Sequence, residues 1–268
     1  MQRMTTEMRC ASSNGAPAQG RPRLGVVIPL ANEEKTVDEL LERVLAQLTS
    51  ADRVFCVVDN ASADQTRAAV ERASARDSRV TLVWAPENRS VVDAYFRGYR
   101  EALAAHCQWV LEMDGGLSHL PEQIPQFIRA MEAGYQYAAG SRFMPGGRFR
   151  GKLSRRIVSK GGTLLSNLLL QTRMKDMCSG FECFTHEALR RVVAHGVASR
   201  AHFFQTEIRF LLRRCKWVEV PITYRGPAKP VPGSSIREAL RVLWSLRAEA
   251  HARPANAEGT CAPVWSAR

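Results

Sequence analysis

Four strand-length apolar runs, separated by stretches of helical periodicity, constrain this chain more than any other feature. They are Leu24-Gly25-Val26-Val27-Ile28-Pro29-Leu30, Val54-Phe55-Cys56-Val57-Val58, Val80-Thr81-Leu82-Val83-Trp84 and Trp109-Val110-Leu111-Glu112. Runs without polar alternation belong to strands covered on both faces. Between the first two, Val37, Leu40, Leu41, Val44, Leu45 and Leu48 recur at i, i+3, i+4, which predicts a helix over 36–48. Helices are likewise expected over 66–75 and 91–105. Strand and helix therefore alternate, and the fold class expected is α/β, with a mostly parallel sheet flanked by helices in a single domain.

In such a sheet ligands bind where the strands end. The first strand runs into Asn32-Glu33, the second into Asp59-Asn60, and the fourth into Asp114-Gly115-Gly116-Leu117-Ser118-His119. Side chains alternate along a strand, so Glu112 and Asp114 face the same way. Two carboxylates on one face could hold a divalent cation, and the cation a diphosphate. No Gly-x-Gly-x-x-Gly follows the first strand and no Gly-x-x-x-x-Gly-Lys occurs. A dinucleotide-binding dehydrogenase and a P-loop enzyme are thereby set aside.

The net charge of +12 and sequence pI near 9.9 favour anionic partners: phosphorylated small molecules, an anionic membrane surface or nucleic acid. Aromatics at 7% and the lack of zinc-finger spacing make nucleic acid an unlikely partner. The second half concentrates the charge. A strand at 137–142 ends in Arg142, and Pro145-Gly146-Gly147 opens a basic loop reaching Arg156, with Arg148, Arg150, Lys152 and Arg155 between. The loop reads either as a solvated charge run or as an anion site. Helices are expected over 122–133, 157–170, 187–193 and from 203 to about 215, with strands at 182–184 and 217–222. A turn spans 176–181, and 227–235 reads as loop. Ile236, Leu240, Leu243 and Leu246 oppose Arg237 and Arg241 on a last helix, which packs either on the protein's own core or on an anionic membrane. Residues 1–23 and 252–268 read as a disordered arm and tail. The seven cysteines form no Cys-x-x-Cys pair and suggest reduced thiols. No apolar run reaches the ~18 residues of a membrane span, so a cytoplasmic protein, peripheral to the inner face of a membrane, is expected.

With these pieces assembled, the chain resembles the family 2 glycosyltransferases of the GT-A (Rossmann-like) fold. Among them it looks most like the polyprenol-phosphate (dolichol-phosphate) mannosyltransferase group. The resemblance spans roughly 24–243 and rests on an ordered series of motifs. These are Val27-Ile28-Pro29 with Asn32-Glu33, Val57-Val58-Asp59 with Ser62, Asp64 and Thr66, and Met113-Asp114 with Ser118-His119 and Pro121-Glu122. Gly140-Ser141-Arg142 with Pro145-Gly146-Gly147, Asp176 with Ser179-Gly180-Phe181, Phe204-Gln205 with Glu207, and Val218-Glu219-Val220-Pro221-Ile222 complete it.

The resemblance implies inverting transfer of a hexosyl group from a nucleotide-sugar donor, GDP-mannose first, to a polyprenyl-phosphate acceptor. It divides the domain at 24–251 into a nucleotide-sugar half (24–120), an acceptor half (121–235) and the basic helix (236–251). Pro29, Asn32, Glu33, Asp59, Asn60 and Arg89 would bind the donor, with Asp114 at its metal and diphosphate. Arg142, Arg156 and Ser179 would hold the acceptor phosphate; Asp176 and Glu207 would line the acceptor side, either serving as base were the acceptor a hydroxyl. The cofactor implied is Mg or Mn, on Asp114 and Glu112. This chain departs from the pattern at the metal: the usual Asp-x-Asp is Asp114-Gly115-Gly116. Three arrangements are compatible with that change: Asp114 alone with diphosphate and waters, help from Glu112 or from cations such as Arg89, or donor binding without turnover. A soluble acceptor, as in antibiotic or surface-polysaccharide assembly, and a non-catalytic binding module stay open beside the lipid-phosphate reading.

Overall fold

The computed structural model describes residues 22–226 and 234–252. The expectations for 1–21, for 227–233 and for the tail from 253 lie outside the described residues. Pro22 and Arg23, expected in the arm, are tied in: their carbonyls accept hydrogen bonds from the Gln108 and Trp109 amides. Arg23 also pairs with buried Asp52 at 3.4 Å.

A seven-stranded sheet forms the centre. Its strands are β1 (Leu24–Leu30), β2 (Arg53–Val58), β3 (Val80–Trp84), β4 (Trp109–Glu112), β5 (Tyr137–Ser141), β7 (Glu182–Thr185) and β8 (Trp217–Pro221), ordered β3-β2-β1-β4-β7-β5-β8. All neighbours are parallel except β7, which is antiparallel to both β4 and β5 and so joins the two halves. A short parallel pair, β6 (Arg148–Phe149) with β9 (Thr223–Tyr224), lies apart from this sheet.

Side-chain alternation divides the core into two layers. On one face Val26, Ile28, Val54, Leu111 and Met113 pack with α1 (Val37–Leu45), α2 (Thr66–Arg76) and α4 (Ile124–Glu132). On the other, Val27, Phe55, Val57 and Val110 pack with α3 (Val91–Ala104), α6 (His186–His195), α7 (Phe204–Leu211) and α8 (Ser234–Ala252). The expected apolar stripe of α1 is buried as drawn, at Val37, Leu40, Leu41 and Val44. Helix α3 starts at Ser90, whose hydroxyl accepts from the Asp93 amide at 3.2 Å, the usual economy of a serine N-cap.

One expectation changes and one alternative is decided. The basic stretch after Arg142 is no continuous loop: Arg148 and Arg150 donate backbone hydrogen bonds to Ile222 and Tyr224, both 2.8 Å, and α5 (Leu153–Leu170) begins early enough to carry Arg155 and Arg156. A two-residue strand is too short to leave a periodic signal. Of the two packings left open for the last helix, α8 takes the protein's own core through Val242, Leu243 and Leu246, while Leu240 of the expected stripe stays exposed.

The helix whose apolar residues face outward is α5. Leu153, Ile157, Val158, Leu164 and Leu168 are each more than 60% exposed, while Thr163 and Ser166 point inward. The inward polar groups have partners on the following loop: Thr163 Oγ1 accepts from the Met177 amide at 3.1 Å, and Asn167 donates to the Met174 carbonyl at 2.7 Å. Packing of α3 on the sheet is equally specific, because a Cβ at Gly98 would collide with Val27 Cγ1 and stand 3.1 Å from Val57 Cγ2. Replacing Gly98→Ala should therefore cost about 2 kcal/mol of stability through overpacking, read as a lower urea midpoint with unchanged m-value.

Candidate active site

The parallel register brings the ends of β1, β2 and β4 to one edge, with Leu30 opposite Val58 and Val27 opposite Glu112. The loop after β1 is fastened to the loop after β2. Asn32, in the left-handed region at φ 58°, donates to the Ala61 carbonyl at 2.8 Å and accepts from the Ala63 amide at 3.0 Å. Glu33 donates its amide to Thr66 Oγ1 at 2.8 Å. Asp59 accepts from the Ala61 amide at 2.9 Å, and Asn60 donates to the Pro86 carbonyl at 2.9 Å. Pro29 supports the β4 loop: a Cβ at Gly115 would stand 2.7 Å from its carbonyl oxygen. Exposed Arg89 lines a cleft of about 590 Å³ together with Asp93, Arg97, Arg100 and Arg200.

Asp114 lies in the floor of this edge with its side chain 39% exposed. Tyr95 donates to Oδ1 at 2.8 Å and Ser118 to Oδ2 at 2.9 Å. The surrounding protein disfavours its charge, yet His119 and these two hydrogen bonds hold the carboxyl below its ordinary value. His119 is buried, which pushes it towards the neutral form, and its Nδ1 accepts from the Asp114 amide at 3.2 Å. Glu112 shares the face of Asp114, as alternation requires, but sits fully buried one layer deeper. Burial, reinforced by the Glu182 carboxyl, pushes Glu112 well above the carboxylate range.

The second half of the chain is organised by two buried arginines. Arg142 grips Asp176 through Nε at 2.6 Å and Nη2 at 2.8 Å, leaving only Nη1 outside that fork. Burial opposes the charge of Asp176, and Arg142 overcomes it, keeping the carboxyl below its ordinary value. Arg209, fully buried on α7, donates to the carbonyls of Asp176, Gly140 (3.3 Å) and Ser179 (2.9 Å) and pairs with Glu182 at 2.8 Å. Ser179 is buried in the turn so held. Glu207 accepts the Ala198 and Ser199 amides, both at 2.8 Å, and thereby shapes the loop before α7.

Three residues of this region escaped the sequence reading, Arg209 and two tyrosines. Tyr95 lies in an apolar helical stripe and looks like any core aromatic until its hydroxyl meets Asp114. Tyr224 belongs to the two-residue β9. It forms an antiparallel bridge with His119, their rings 5.4 Å apart, and Arg142 lies over its face at 5.3 Å. Burial raises its pKa, Asp114 adds to the rise, and Arg142 and Arg155 oppose it, so Arg155 as well as Arg142 acts here. Arg156 is exposed on the first turn of α5.

Among the described residues no three His, Cys, Asp or Glu side chains converge as a ready-made metal site. Asp114 nevertheless offers a carboxylate open to solvent, with the buried Ser118 hydroxyl against its Oδ2, and a magnesium-type site needs only one or two carboxylates when phosphates and waters complete it.

Residues 25–193 match the family described as Glycosyl transferase family 2, and the chain belongs to that family. It is a glycosyltransferase of the GT-A fold. Polyprenol monophosphomannose synthase of Mycolicibacterium smegmatis is 33% identical over 243 residues, covering 86% of this chain and 91% of the relative. Dolichol-phosphate mannosyltransferase of Pyrococcus furiosus is 31% identical over 84% of this chain, which spans 63% of that protein. Undecaprenyl-phosphate mannosyltransferase of Micrococcus luteus is 29% identical over 75% of this chain and 83% of its own length. In fold, the chain matches Mycobacterium tuberculosis glucosyl-3-phosphoglycerate synthase, solved with Mn2+, UDP and phosphoglyceric acid, at TM-score 0.64 and 18% identity. That match covers 85% of this chain and 79% of the other.

The Glu112 environment has a consequence for pH. A carboxyl whose pKa is raised on folding keeps a proton that the unfolded chain releases, so stability falls as pH rises above the ordinary value of 4.5. The depressed Asp114 and Asp176 act at lower pH, where their contributions are lost as acid is added. Between about pH 5 and 8, Glu112→Gln should flatten the decline by up to about 1.4 kcal/mol per pH unit, the slope for one proton, in urea titrations of both proteins.

Proposed function

We propose that this glycosyltransferase moves mannose from GDP-mannose to a polyprenyl phosphate, with inversion at the anomeric carbon. The observation that carries the lipid acceptor is the outward apolar face of α5, beside the exposed cations Arg148, Arg150, Lys152, Arg156 and Lys160. An apolar stripe flanked by basic residues suits a helix lying in an anionic membrane interface, with the acceptor end of the site facing the lipid. Leu240 and Trp244 of α8, 43% and 60% exposed, extend that surface. No helix among the described residues is long and apolar enough to cross a membrane. The three mannosyltransferase relatives, named for polyprenol, dolichol and undecaprenyl phosphates, support the same acceptor class.

In this reading an oxygen of the acceptor phosphate attacks the anomeric carbon while the bond from that carbon to the diphosphate breaks, releasing GDP. A phosphate is already ionised at neutral pH, so no strong base is needed. The arrangement agrees: Asp176 is held by Arg142 and Glu207 by two backbone amides, and neither is poised to take a proton. The segment from Pro29 to Glu33 with Asp59 and Asn60 faces the nucleoside, Arg89 the donor phosphates, and Arg142, Arg155, Arg156 and Ser179 the acceptor phosphate. Asp114, rather than the buried Glu112, orients the diphosphate and a divalent cation, Mg or Mn. The chemistry supplied by that cation is neutralisation of the charge developing on the leaving diphosphate.

The test is transfer of labelled mannose from GDP-mannose to polyprenyl phosphate in anionic vesicles. Wild type should form the lipid-linked β-mannosyl product, and Asp114→Asn should lose on the order of a hundredfold in rate. The double variant Leu164→Ser/Leu168→Ser should cosediment less with vesicles while keeping activity on a short, water-soluble polyprenyl phosphate. Transfer to a soluble hydroxyl acceptor with none to the lipid phosphate would sink the assignment.

A further inference from the structure

The glycine pair after Asp114 opens a gap, and another carboxylate stands in it. A Cβ built on Gly116 would lie 3.1 Å from Glu33 Oε1 and 3.6 Å from both Cδ and Oε2 of that residue. The oxygens of an aspartate lie roughly 2.4 Å from its own Cβ, so the Glu33 carboxylate occupies the region an aspartate at 116 would fill. We propose that Glu33 supplies the second carboxylate of the cation site, with Asp114 as the first and Gly116 as the space that admits it. This assignment rests on the reading of the site as a metal-assisted nucleotide-sugar site.

Three features hold Glu33 in that place. Its carbonyl accepts the Thr36 and Val37 amides at 3.0 and 2.9 Å, anchoring the backbone at the start of α1. Its amide is tied to Thr66, and Thr36 Oγ1 donates to Oε2 at 2.7 Å, which orients the carboxylate and leaves Oε1 nearest Gly116. Gly115 then brings the β4 loop against β1, since a Cβ there would stand 2.5 Å from Leu30 Cδ2 and 2.7 Å from the Pro29 oxygen. An aspartate at 116 would face Glu33 at close range as a like charge, so glycine at 116 and the inward Glu33 form a mutually consistent pair. Two carboxylates and the Ser118 hydroxyl are hard oxygen donors of the kind Mg2+ and Mn2+ take.

The experiment is Mn2+ binding to the full chain, followed by the EPR signal of free Mn2+ with saturating GDP, alongside GDP binding in EDTA. Glu33→Gln, isosteric with the native side chain, should weaken Mn2+ binding roughly tenfold or more, a clearly larger loss than any it causes in GDP binding in EDTA, where Glu33 acts only as a neighbour of the nucleoside. The double variant Glu33→Gln/Gly116→Asp should regain Mn2+ affinity, because the charge returns to the same space. Unchanged Mn2+ affinity in Glu33→Gln, an equal loss of GDP binding with and without metal, or no recovery in the double variant would overturn the assignment and leave the enzyme reading intact. No Mn2+ binding by wild type with GDP would overturn it together with the metal-assisted reading.

Discussion

The buried Arg209 guanidinium is the interaction on which the second half of the molecule depends. It sits under the turn from Asp176 to Ser179, holding that turn by its carbonyls, and it pairs with Glu182 on the antiparallel strand β7. A fully desolvated cation is tolerable only where partners face it, and here three backbone carbonyls and a carboxylate face its two terminal nitrogens, while the buried Nε has no hydrogen-bond partner among the described residues. The turn so fixed presents the Asp176 carboxylate to Arg142, which orients that guanidinium at the end of β5. This half of the site is thus built inside out, each charge placed by one more deeply buried.

The edge formed by β1, β2 and β4 is built by different means. Parallel register brings three strand ends to one edge, and hydrogen bonds between the loops, through Asn32, Ser62, Asp64 and Thr66, turn those ends into one surface. On that surface Asp114 stays both charged and open to solvent. Glu112, two residues earlier, is buried with Glu182 and favours its protonated form. Strand β9 then joins the halves, because Tyr224 bridges to His119 while the Arg225 amide donates to the Ser118 carbonyl at 2.9 Å. The two halves of the site are consequently held in one rigid relation, which fixes the orientation of whatever groups react between them.

Helix α5 departs from the usual rule that a helix turns its leucines inward. Over most of its length the inner face is polar, because it secures the loop from Met174 to Met177, and Leu153, Leu164 and Leu168 are left outside; only its last turn buries leucines, Leu169 and Leu170. Helix α8 does the reverse, although its pattern of leucines opposite arginines resembles a surface-seeking helix. Periodicity reveals that a helix has two faces. Which face meets the core is decided by the neighbours.

Much of the architecture was legible in the chain: β3 and the central strands, the stripe of α1, and the acidic ends of β1, β2 and β4 follow from short-range patterns of apolar and polar residues. Those patterns act between residues a few positions apart, so a linear reading captures them, and the motif series carries the family. The polar partners that define the site are not local. Tyr95 meets Asp114 across 19 positions, Arg142 meets Asp176 across 34, and a Cβ at Gly116 would meet Glu33 from the far end of another strand. The sequence by itself determined the alternating elements, the family and the residue types at the strand ends. Only the tertiary structure decided which carboxylates stay charged, which arginines are already paired and which helix turns its apolar face to solvent, because burial and pairing arise when distant segments are brought into contact.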